Sequence, residues 1–194
     1  MRNMIRAAIC GFLLGIATLP SMVSAPAPEF GAQYVPGAGA KHKPRFMVGP
    51  DGSDPNDFVS SFVAFGREYG LTDAQIAGAL GSVQQESQFD VHARNPYSGA
   101  RGVAQWLSAD RIRELRQFRK KNPSMTEVQV QAAFHWYEME KMGLMDRFRK
   151  MRTVAQAAVF HRKYYERPGE SEAEDRKRIR YGLEQYAKLR SDAG

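Results

Sequence analysis

The chain has 194 residues, 43% of them hydrophobic and 25% charged, with a formal net charge of +7 and a single cysteine, Cys10. That length suits one domain plus accessories, and one cysteine excludes a disulfide framework, so the fold must be held by its apolar core. The modest positive excess favours an acidic polymer as partner: nucleic acid, anionic lipid or cell wall.

Arg2 and Arg6, the apolar run Ala7 to Leu19 and the small residues Val23, Ser24 and Ala25 read as a secretory signal over residues 1–25. Thirteen apolar residues are short for a membrane span, and Pro26 is a poor residue just after a cut. An uncleaved N-terminal anchor is therefore the alternative to cleavage. Losing Arg2 and Arg6 lowers the net charge from +7 to +5 and removes the cysteine with them. Export to the periplasm or cell envelope argues against nucleic acid as a partner.

Residues 26–53 carry Pro26, Pro28, Pro36, Pro44 and Pro50 among Gly31, Gly37, Gly39, Gly49 and Gly52, the composition of a flexible linker. From 54 to 191 the periodicity is helical and predicts one mainly α domain. Asp54, Pro55 and Asp57 predict a helix start, followed by the stripe Phe58, Phe62, Phe65 and Tyr69, with Gly70 as the stop. Thr72 to Gln75 is a capping box opening a helix that ends near Glu86. Ser108 or Asp110 starts the next helix, which halts before Pro123. Ser124 to Glu127 and Thr153 to Gln156 predict two more boxes, the second closed by Pro168. Ser171 to Glu174 opens a last helix with Ile179, Leu183 and Tyr186 as its apolar face. Arg111, Arg113, Arg116 and Arg119 suit a solvated helix face.

Glu86 lies on the edge of the stripe Ile76, Ala79 and Val83. A carboxyl withdrawn from water there has a raised pKa, which is what a general acid near neutral pH requires. The residues alone leave open a surface glutamate at a helix end.

Three ordered blocks bear on that choice: LTDAQIAGALGSVQQES (71–87), NPYSGARGVAQW (95–106) and KYYERP (163–168). Together they resemble the phage-tail-type lysozyme family of the lysozyme-like superfamily, related to goose-type lysozymes and soluble lytic transglycosylases. The resemblance runs from about Asp54 to Ala187. It departs at Ser82, where the family pattern often has asparagine, and in the aspartate-containing SAD after Leu107.

The resemblance implies a compact lysozyme-like helical domain in which a short irregular loop forms one cleft wall. It implies a muramidase acting on the MurNAc–GlcNAc bond of peptidoglycan glycan strands, with Glu86 as catalytic acid. Ser87 would lie in the sugar cleft, Gln105 would hold the glycan, and Trp106 would pack behind the loop or against a sugar face. Tyr164 and Tyr165 would form the opposite wall, with core packing as the alternative for each. Pro96, Gly99 and Gly102 would shape the loop.

Asp90 and Asp110 suit capping roles, so a route assisted by the substrate's own N-acetyl or 6-hydroxyl group is open. Hydrolysis and anhydro-forming transglycosylation therefore both remain. His92, His135 and His161 lack metal-ligand spacing, and no metal or cofactor is expected. The rival reading is a noncatalytic peptidoglycan-binding or envelope-assembly protein; an envelope-complex partner fits either.

Overall fold

The computed structural model describes residues 56–166 and 172–191. The expected signal, linker, Asp54–Pro55 cap, Pro168 stop and Ser171 cap lie outside the described residues. Those described form seven α-helices: α1 (Phe58–Glu68), α2 (Asp73–Ser87), α3 (Ala109–Lys121), α4 (Glu127–Lys141), α5 (Met145–Phe148), α6 (Val154–His161) and α7 (Glu172–Ser191). A π-helical segment, Arg162–Glu166, continues directly from α6. Among the described residues there is no strand, only isolated bridges joining Arg101 to Arg94 and to Trp106 in the α2–α3 loop. The mainly α expectation with one irregular loop is met.

Local caps set most of the helix starts. Asp57, later than the proline cue, caps α1 by accepting from Ser60 N at 2.7 Å. Thr72 and Gln75 form the expected reciprocal box, and the Gln75 carboxamide also donates to Arg149 O and Met151 O at 2.8 and 2.9 Å. One polar side chain thereby closes a helix start and anchors the α5–α6 connection. Ser108 caps α3. The α4 box is Thr126 with Gln129, and not Ser124 with Glu127. Met125 N turns back onto Asn122 O, so Ser124 is spent in that turn and the extended cap conformation falls two residues later.

Two faces differ from their sequence reading. The stripe expected on α2 is a full sheath: every residue from Gln75 to Val83 is buried, and α1, α6 and α7 all pack on it. Among the described side chains of α7 the buried residues are Arg178, Gly182 and Gln185, whereas Leu183 is exposed and Ile179 and Tyr186 are half-buried. The cause is close approach. A Cβ on Gly81 would meet Arg178 O at 2.2 Å and Gly182 N at 2.5 Å, so glycine lets the α7 backbone lie directly against α2.

Candidate active site

Glu86 lies in the last turn of α2, which ends as Gln88 and Phe89 enter the left-handed region at φ 53° and 67°. The contact at Gly81 brings Arg178 of α7 beside it, with Arg178 Nη2 donating to Glu86 Oε1 at 2.6 Å. The π segment delivers Glu166 to the same place. Arg178 Nη2 lies 3.4 Å from Glu166 Oε2, and Arg162 forks onto Asp175 of α7 at 2.8 and 2.6 Å, tying the segment down. Such wide turns recur at functional sites because they re-aim side chains out of α-helical register. The Glu86 side chain is 22% exposed, against 4% for Glu166 and 2% for Arg178. Glu86 is the member of the cluster that solvent reaches.

The two carboxyls face the same Arg178 Nη2 and titrate in opposite directions. Burial raises the Glu86 pKa to about 7, the Glu166 charge adds to the rise, and Arg178 opposes it. For Glu166, burial also works upward, but it is outweighed by the nearby His161, the charge of Arg178 and the adjoining Glu86 carboxyl. Its carboxyl is therefore held below the usual range. His161 Nδ1 lies 3.2 Å from Glu166 Oε1. His161 Nε2 is 2.9 Å from His135 Nε2, with the rings stacked at 9°. Burial pushes the His135 pKa well down and keeps that ring neutral.

The irregular loop is built separately. Asn95 Oδ1 accepts from Tyr97 N and Ser98 N, and Gln131 of α4 pins the loop by accepting from Val103 N and donating to Val91 O. Gly102 has φ +73°, and a Cβ there would meet Gln131 Oε1 at 2.6 Å, so only glycine fits under the pin. The loop walls a hollow of about 220 Å³ whose far side includes Leu115, Arg119 and Glu127; Glu86 is not in its lining.

The remaining expected site residues take several places. Ser87 turns its hydroxyl back to Val83 O at 3.4 Å. Gln105, at φ 46°, is half-buried and donates to Gly102 O. Trp106 and Tyr165 are brought together, but in the interior: Trp106 Nε1 and Tyr165 OH both donate to Glu138 Oε2, at 2.9 and 2.6 Å. Arg111 forks onto the same carboxylate at 2.6 and 2.8 Å. Trp106 thus packs behind the loop and Tyr165 is core, in each case the expected alternative to contact with substrate, and Arg111 leaves the solvated face assigned to it. Tyr164 is only partly buried and lies under Arg147, at 4.2 Å, in a groove of about 690 Å³ floored by Val159 and Phe160. Asp90 caps a turn by accepting from His92 N, and Asp110 pairs with Arg113 on the surface.

Sequence reasoning did not single out Arg178 or the His135–His161 pair. The signal for Arg178 was its i, i+4, i+7 relation to Gly182 and Gln185. A small residue between two polar ones marks a close helix contact, whereas the apolar residues of α7 drew attention elsewhere. Among the described residues no group of three or more His, Cys, Asp or Glu side chains could hold a metal ion. A family model described as phage tail lysozyme matches residues 60–189. No curated protein and no solved structure matches the chain.

Proposed function

The chain belongs to the phage tail lysozyme family, and on that premise we propose that it cleaves the MurNAc–GlcNAc bond of peptidoglycan with Glu86 as general acid. Family membership gives the coarse chemistry, lysozyme-like cleavage of peptidoglycan. The observation that carries the finer reading is that Glu86 is solvent-reachable and keeps its proton up to about pH 7.

In this mechanism the Glu86 proton passes to the bridging oxygen as the glycosidic carbon–oxygen bond breaks and positive charge develops on the sugar. Glu166 is enclosed between Arg178 and His161, so in this reading it is not the nucleophile. Attack therefore falls to the substrate's own N-acetyl or 6-hydroxyl group, and Glu86, now ionised, takes back a proton from water or from that hydroxyl. Arg178 stabilises the carboxylate in between.

Residues 1–25 act in this reading as an export signal and 26–53 as a tether, placing the domain of 54–191 at the cell envelope. Mass spectrometry of peptidoglycan incubated with the protein tests the proposal: reducing-end or anhydro muropeptides support it. Retention on intact sacculi without released fragments would instead indicate a noncatalytic wall-binding protein.

A further inference from the structure

We infer that Glu166 is a positioning residue that keeps the transferable proton on Glu86, by occupying the charge of Arg178, with His161 as its support. The inference rests on Glu86 being the acid of the proposed reaction.

Two carboxyls converge on one guanidinium. Arg178 Nη2 is 2.6 Å from Glu86 and 3.4 Å from Glu166. In so enclosed a place two ionised carboxylates side by side are disfavoured, so one acid is ionised and the other is not. Two features decide which. Glu166 has a second basic group facing it, His161 Nδ1 at 3.2 Å, whereas Glu86 has no imidazole beside it. Glu166 is also the deeper of the two, where an ionised carboxylate persists only with such partners.

His161 is held in turn by the stack with His135, and one proton lies between their two Nε2 atoms. The other charges nearby do not alter the account. Glu174 approaches Arg178 Nη1 at 3.5 Å from a half-exposed position on α7, and Asp175 is matched by Arg162. From α4 the facing group is the neutral His135, and on α2 the neighbours of Glu86 are Gln84 and Gln85.

Were Glu166 neutral, Glu86 would be the carboxyl of this pair that answers the Arg178 charge, and it would give up its proton at lower pH. An acid beside an unopposed arginine typically titrates about one to three pH units lower. The same contact has a use after proton transfer, because Arg178 is already in place for the Glu86 anion.

The test is carbon-13 NMR titration of the Glu86 carboxyl alongside the pH profile of peptidoglycan cleavage, with circular dichroism as folding control. Glu166→Gln is expected to lower the Glu86 titration and move the alkaline limb of the profile down by roughly one to three pH units. Glu166→Asp should restore much of the shift, and Glu166→Gln with Arg178→Met should bring the titration back up. If Glu166→Gln does not fold, Arg178→Met alone decides, with an upward shift expected. A Glu86 titration that is unmoved, or raised, by Glu166→Gln overturns the inference, as does one unmoved by Arg178→Met. The titration is read without turnover. A wild-type protein that releases no fragments yet shows the shift loses the proposed function and keeps the proton-holding pair. Cleavage with an unmoved titration does the reverse.

Discussion

Arg178 and Glu86 are 92 positions apart in the chain, yet their side chains meet at 2.6 Å. The meeting depends on a glycine on each helix, Gly81 and Gly182, at the point where the α2 and α7 backbones touch. The acid at the end of α2 is therefore set by a residue that only tertiary packing brings to it, and that dependence can be probed from several sides.

Glu86→Gln keeps the shape of the side chain and removes the proton. Cleavage of peptidoglycan should fall by about 10²–10⁴-fold with the circular dichroism spectrum unchanged. Asp90→Asn and Asp110→Asn, which alter a turn and a surface ion pair, should retain near-normal rates. Equal losses from either aspartate change would remove Glu86 from its assigned role.

Cleavage should decline as pH rises through about 7, where Glu86 loses its proton. Glu68 gives a matching prediction for stability. Burial raises its pKa to about 7, and its Oε2 is buried with no hydrogen-bond partner. A raised carboxyl pKa means that the folded state favours the protonated form. The stability it contributes is full below the unfolded value near 4.5 and is lost as pH rises through about 7. The Tm of wild type relative to Glu68→Gln should fall over that window, and parallel curves would contradict the assignment.

Gly81→Ala should force α7 away from α2, because its Cβ would stand 2.2 Å from Arg178 O. Urea unfolding should show a loss of about 1–3 kcal/mol, the usual cost of overpacking. The Glu86 titration should move upward in the same variant as Arg178 withdraws, so a stability loss with no change in titration would separate the packing from the site.

Trp106→Phe removes a donor to buried Glu138 and should lower stability by about 1–3 kcal/mol. If Trp106 is interior, KM for soluble glycan fragments should be unchanged once the folded fraction is corrected for. A several-fold rise in KM would return the indole to the substrate.

N-terminal sequencing of the protein recovered from the cell envelope should begin near Pro26. An intact Met1 on a protein found in the cytoplasm would reject export.

Much of the helical framework was legible because it is written locally. The Thr72–Gln75 box, the Ser108 cap, the Asn95 turn and the phenylalanine stripe of α1 each depend on residues within a few positions of one another. Glu86 could be found for the same reason, at the end of a strongly apolar helix. What was not legible depends on distant partners. The interior positions of Trp106 and Tyr165 follow from Glu138, which gathers donors from the loop, α3 and the π segment. The inward face of α7 is polar because its partners lie on α2, where Glu86 meets Arg178 and Gln84 meets Gln185. The α4 box slipped for a smaller reason: two candidate caps stood two residues apart, and the turn at Asn122 consumed the first.

The π segment and α7 also impose an order in time. A ribosome completes α2 long before it reaches Glu166 and Arg178, so during synthesis Glu86 has neither its carboxyl partner nor its guanidinium. Docking of α7 closes contacts 92 positions apart, the class of event that comes late in folding. The acid that would cut the wall thus acquires its working protonation state only once α7 has been made and is seated.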